Sequence, residues 1–149
     1  MPSKLPPTAV IDTNIVVSAF LFQRGTPYDV LSALYRGAFH IVISERIRQE
    51  YMAVLSRPTL IQRYNIDAAS VAAYFRFLNR RGLVVAPITI LPIEVRDAND
   101  EHILAAALGA DVNYLVSGDD DLLSLADDAR LGKLQIVTAR NFLDALSLE

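Results

Sequence analysis

The sequence predicts an α/β fold: a three-layer sandwich whose central, mostly parallel sheet of about five strands is flanked by helices. Short apolar runs recur along the chain, separated by longer segments of helical periodicity, the alternation that builds a parallel sheet with helical crossovers. Helix start and stop signals fall between those runs. A length of 149 residues, 52% of them hydrophobic, suits one domain over 1–149 with a sizeable core.

Strands are expected near 8–11, 39–43, 83–86, 113–116 and 134–137. Thr8-Ala9-Val10-Ile11 and Asn113-Tyr114-Leu115-Val116 are short apolar runs of the kind buried in parallel sheets. Helices are expected near 14–21, 27–36, 45–56, 58–63, 68–80, 99–109, 120–126 and 139–147. Thr26-Pro27-Tyr28-Asp29 offers a cap, a first-turn proline and a first-turn acid, and Gly37 stands at the other end of that helix. Arg57-Pro58 breaks the helix that begins at 45, and Asp67 caps the one that follows. Repeats, linkers and low-complexity segments are absent from the sequence.

Composition narrows the chemistry. With no cysteine, disulfides, thiolate zinc sites and thiol nucleophiles are excluded, leaving oxygen and nitrogen ligands. Met1 to Pro7 carries one Lys and no apolar run of signal-peptide length, and no later stretch approaches a membrane span, so a cytoplasmic location is expected. Net charge is −3, unevenly placed. Residues 1–93 hold ten Lys and Arg against five Asp and Glu, a balance of +5, and residues 94–149 hold four against twelve, a balance of −8. Such asymmetry allows a basic surface beside an acidic pocket. Twelve of the fourteen cations are Arg, whose planar fork suits phosphate, although a solvated face accounts for the skew equally well.

Four carboxylates stand out. Asp12 and Asp119 each follow an apolar run, and groups just beyond the carboxyl ends of parallel strands line the ligand crevice. Either acid could simply cap the next helix. Glu50 falls about 60° from Ile47, at the edge of the apolar stripe formed with Tyr51, Val54 and Leu55, against which stands an i,i+4 ion pair with Arg46. Asp100 lies about 60° from Ile103, within the buried stripe completed by Leu104 and Ala107. An inward carboxylate needs hydrogen-bond donors or a cation; capping of its own helix is the competing account. In Ser117-Gly118-Asp119-Asp120-Asp121, three successive acids repel unless a cation neutralises them or Asp120 is solvated, and Leu122, Leu123 and Leu125 supply the next buried face. Hard oxygen ligands without His or Cys select Mg²⁺ or Mn²⁺ over zinc.

Taken together, Val10-Ile11-Asp12-Thr13-Asn14-Ile15, Glu50 with Val54-Leu55-Ser56-Arg57-Pro58, Arg96-Asp97-Ala98-Asn99-Asp100 with Leu104-Ala105, and Tyr114-Leu115-Val116-Ser117-Gly118-Asp119 with Asp121-Leu122-Leu123 resemble, in order, the four motifs of the PIN-domain nuclease family. The likeness is to its bacterial branch of toxin components of type II toxin–antitoxin pairs, and it covers nearly the whole chain. It implies Asp12, Glu50, Asp100 and Asp119 as a catalytic, metal-binding quartet, with Asp121 a candidate fifth ligand and Asn14 and Ser117 as supporting polar groups. It also implies a Mg²⁺- or Mn²⁺-dependent endoribonuclease with RNA as substrate, a cognate antitoxin as partner and a homodimeric state. The sequence departs from this branch at Ala98 and Asn99, where Pro and a further acid are usual, and at Thr138-Ala139-Arg140-Asn141, where Pro and Glu are frequent. All four quartet acids survive these departures.

His40 and His102 are expected to be structural or exposed, having no nucleophile pattern nearby. Tyr74, Phe75, Phe77 and Leu78 read as core or a subunit face, and Arg76, Arg80 and Arg81 as phosphate grips or a solvated face. Tyr51, Met52, Tyr64 and the Tyr74–Leu78 group should leave an apolar patch suited to a two-fold interface. A haloacid-dehalogenase-type phosphatase is excluded by Asn14, two positions after Asp12, and a receiver domain by the placing of Lys4 and Lys133 before strands. The remaining rivals are a PIN-like module that binds RNA or protein without cutting, and a solitary RNA-processing nuclease.

Overall fold

The computed structural model describes residues 5–86 and 90–147; Lys4 lies outside them. Its five strands form one fully parallel sheet in the order β3-β2-β1-β4-β5, made of β1 (Thr8–Ile11), β2 (His40–Ile43), β3 (Leu83–Val84), β4 (Tyr114–Val116) and β5 (Gln135–Val137). Among the described residues, eight α-helices flank the sheet: α1 (Thr13–Leu21), α2 (Thr26–Tyr35), α3 (Glu45–Leu55), α4 (Pro58–Tyr64), α5 (Ala68–Arg81), α6 (Glu101–Gly109), α7 (Asp120–Leu123) and α8 (Ala139–Ser147).

Where element ends differ from expectation, local chemistry explains it. β4 runs from Tyr114; just before it the Asn113 backbone donates to Thr8 O and accepts from Gln135 N, each at 3.0 Å, while its side chain accepts from Thr8 N at 2.9 Å. β3 is two residues long, with one further ladder bond from Val85 N to Ile43 O at 3.2 Å, and its exposed residues form the sheet's edge. The helix expected over 99–109 begins as a 3-10 turn, Ala98–Asp100, in which Asp100 N donates to Asp97 O at 3.0 Å. α7 ends early because Leu125 and Ala126 bond three residues back rather than four. Gly25, at φ 93°, caps α2 in place of Thr26, a conformation that suits glycine.

The order of strand connection reverses between β1 and β4. The chain leaves β1 toward β2 on one side, and leaves β4 toward β5 on the other. Between two such neighbours the outgoing connections diverge, opening a crevice at the carboxyl ends of the strands. Aromatic residues fasten the helices around it. Tyr51 of α3 donates its hydroxyl to Ile11 O at the end of β1, and Tyr74 of α5 donates to Val16 O at 2.8 Å. Farther along, Phe39 and Tyr114 each pack edge to face against Phe142 of α8.

The apolar residues proposed for an interface divide between core and surface. Tyr51, Phe75 and Leu78 are buried, Tyr64, Tyr74 and Phe77 half-buried, and Met52 exposed. Tyr74 and Phe77 join Tyr28, Leu31 and Tyr35 along a groove of about 470 Å³. Arg81, exposed, lays its guanidinium over Tyr35 and Phe77 and spends one N–H on Leu34 O at 3.1 Å.

Candidate metal centre

Asp12 ends β1 and starts α1, and both of its side-chain oxygens are engaged. One accepts from Thr13 N at 2.7 Å, the capping bond, and the other from Ser117 Oγ at 2.6 Å. Its own amide extends the sheet by one bond, donating to Val116 O at 2.9 Å. Burial pushes the Asp12 carboxyl above its ordinary value; the bonds from Ser117 and Thr13 oppose this, and the charges of Glu50 and Asp119 add to it.

Ser117 bridges the two strand ends. Fully buried after β4, it donates to Asp12 and accepts from Asp119 N at 3.0 Å. Asp119 in turn caps α7, accepting from Asp121 N at 2.8 Å. Asn14, the other expected supporting residue, is exposed and makes no side-chain hydrogen bond among the described residues. Asp120 faces solvent, which relieves part of the repulsion in this run of acids.

Glu50 approaches from α3, whose start is fixed by Ser44 Oγ accepting from Ile47 N at 3.1 Å. It does not pair with Arg46. Its Oε2 accepts instead from Thr13 Oγ1 and stands 3.5 Å from His102 Nε2 on α6. His102 was expected to be structural or exposed; it is buried against the acidic centre, with its imidazole pushed down by burial and partly restored by the Glu50 charge. Its sequence signal was faint, since a His beside an apolar stripe is ordinarily packing. His40 is exposed, as expected.

Asp100 separates the capping account from the ligand account. It closes the 3-10 turn and precedes α6, yet its side chain caps nothing; the cap of that turn is Asp97, which accepts from Asn99 N at 3.0 Å. Asp100 is only 8% exposed, and its Oδ2 is buried without a hydrogen-bond partner. Burial pushes its carboxyl up to about 7, reinforced by a hydrogen bond shared with Asp119 and by the charges of Asp119, Asp12 and Asp97. A buried carboxyl flanked by three acids is a poor anion without a cation nearby.

Carboxylate oxygens of Asp97, Asp100 and Asp121 lie within 4.8 Å of one another. Asp121 is also held by Arg96, 3.3 Å away. Asp97 is thus a candidate ligand that the sequence reading passed over, having taken it only as part of a motif; the D-x-x-D spacing across one 3-10 turn was the signal. Of the four expected ligands only Asp100 belongs to this trio; the charges of Asp119 and Asp12 act on Asp100, and those of Glu50 and Asp119 act on Asp12. An all-oxygen donor set with one orphaned buried oxygen fits a hard divalent cation.

Comparison with known proteins agrees with this architecture. The family model described as PIN domain matches residues 8–121. Among solved structures, the fold is similar to the crystal structure of VapBC2 from Rickettsia felis bound to a DNA fragment from their promoter, at 17% identity and a TM-score of 0.56, covering 88% of this chain and 98% of that one. No curated protein matches the chain.

Proposed function

This chain belongs to the PIN domain family, and we propose that it is a Mg²⁺- or Mn²⁺-dependent endoribonuclease, the toxin of a toxin–antitoxin pair. One observation carries the metal reading. Asp100 holds a buried oxygen without a donor among converging acids, an arrangement that costs stability unless a cation enters.

Asp12, Glu50, Asp100 and Asp119 are the proposed ligands, with Asp121 and Asp97 completing the oxygen set. Ser117 holds Asp12 and the Asp119 backbone in fixed relation, so two ligands arrive preorganised at the crevice. A divalent ion held there would activate water and neutralise charge developing on the phosphoryl oxygens. Arg96, bound to Asp121 yet largely exposed, can turn its remaining N–H groups toward a phosphodiester.

RNA as substrate and an antitoxin as partner rest on the family resemblance, and the fold-level likeness to VapBC2 supports the partner. The protein is proposed to act in the cytoplasm; no helix among the described residues is long and apolar enough to cross a membrane. In the test, parent protein with Mn²⁺ cuts single-stranded RNA and stops on addition of EDTA, while Asp12→Asn binds the same RNA and leaves it intact. Binding by the parent without metal-dependent cutting favours the non-catalytic module, and equal cutting by parent and mutant indicates a contaminating ribonuclease.

A further inference from the structure

The geometry points to His102 as a positioning residue that, together with Thr13, fixes one oxygen of Glu50 and leaves the other for the metal. This inference rests on the metal-site reading above. Glu50 is attached through a longer, more rotatable side chain than the Asp ligands, so it is the ligand most in need of restraint. Its natural helical partner, Arg46, leaves it alone. The two groups that do reach it, Thr13 Oγ1 and His102 Nε2, both approach Oε2. No donor among the described residues reaches Oε1.

The other face of the imidazole supports the same assignment. His102 Nδ1 is buried and has no partner. A neutral imidazole carries one N–H and one bare nitrogen, and burying an unpaired donor is rarer than burying an under-used acceptor. The proton therefore belongs on Nε2, the ring nitrogen that stands 3.5 Å from Glu50 Oε2. Thr13 adds the second donor from the first residue of α1, next to Asp12, so the same short segment holds one proposed ligand and orients another. Groups that orient metal-bound side chains influence affinity without touching the ion.

Binding of Mn²⁺ to the purified full chain, followed by the electron paramagnetic resonance signal of free Mn²⁺, tests this with three variants. Glu50→Gln reports the ligand itself. His102→Leu keeps volume and removes the donor, and His102→Gln restores a donor near Nε2. The expected result is Mn²⁺ affinity lowered about 10- to 100-fold in His102→Leu and largely recovered in His102→Gln. Unchanged affinity in His102→Leu, or equal loss in both His102 variants, overturns the positioning role while leaving the metal site standing. If the parent binds no Mn²⁺, or Glu50→Gln binds like the parent, the underlying metal reading fails and this inference with it. Should His102→Leu not fold, ¹⁵N resonances of the parent imidazole decide: a protonated Nε2 is expected, and a bare Nε2 refutes the assignment.

Discussion

Replacing Asp100 with Asn should stabilise the metal-free protein, and do so more at high pH than at low. In the folded chain the carboxyl is pushed from 3.8 to about 7, so its folded value lies above its unfolded one. Stability from such a group is fully present below the unfolded value and is lost as pH rises through the folded one, here between about 4 and 7. A displacement of roughly three pH units corresponds to about 4 kcal/mol. Because Asp119 shares the hydrogen bond and the repulsion, about half of that, ~2 kcal/mol, is expected from the single substitution. For a domain of this size that is a rise in melting temperature of roughly 4–8 °C at pH 8, shrinking to less than half at pH 5. Thermal unfolding of parent and Asp100→Asn in EDTA, from pH 5 to 8, measures it. A gain that does not vary with pH, or a loss at pH 8, would refute the claim that Asp100 is a strained buried acid. Saturating Mg²⁺ should reverse the order of the two proteins, since only the parent presents the full ligand set.

Other outcomes follow from the same geometry. Mg²⁺ or Mn²⁺ at about a hundred times its dissociation constant should add ~2.7 kcal/mol to parent stability, and Asp12→Asn should show little of this in the same melting assay; a mutant that responds like the parent removes Asp12 from the site. Ser117→Ala should cost about 1–3 kcal/mol in denaturant unfolding, because a buried carboxylate oxygen and the Asp119 amide each lose their partner; a change under ~0.5 kcal/mol would mean that water replaces the hydroxyl. Light scattering coupled to gel filtration should give about twice the 16.4 kDa chain mass, with the groove lined by Tyr28, Tyr35 and Phe77 as the expected contact; a concentration-independent monomer mass removes the homodimer.

Much of the fold was legible because parallel strands buried on both faces are continuous apolar runs, and the connecting helices carry their own start and stop residues. Pro27, Pro58 and Asp67 mark helix starts where the structure has them. Misjudged ends depend on contacts that no local pattern displays. Asn113, at the start of β4, bonds through its side chain to Thr8, 105 residues away. The order of the strands likewise follows from tertiary packing, and with it the placement of Asp12 beside Ser117. His102 was hidden for a related reason: its partner lies on α3, and only the folded chain brings the two together.

Caps and ligands cannot be told apart at Asp12 and Asp119 from sequence, because in the structure each acid does occupy a capping position. Asp12 serves Thr13 N with one oxygen and Asp119 serves Asp121 N with one of its own, yet a carboxylate has lone pairs enough to cap a helix and hold a cation at once. A capping bond at these positions is therefore no evidence against a metal role; it fixes the side-chain rotamer and so helps to preorganise the ligand. Asp100 has no such second duty. With Asp97 already capping the 3-10 turn, no helix-terminal donor explains why a carboxylate is buried at 100. A change at Asp12 or Asp119 should thus mix lost capping, typically ~1 kcal/mol, with relief of repulsion, whereas a change at Asp100 should show relief alone. For metal-free protein at pH 8, Asp119→Ala, which removes the cap as well as the charge, should consequently gain less stability than Asp100→Ala, and chemical denaturation of the two variants side by side measures the difference. An equal or larger gain at Asp119 would place the strain there and assign Asp100 to ordinary packing.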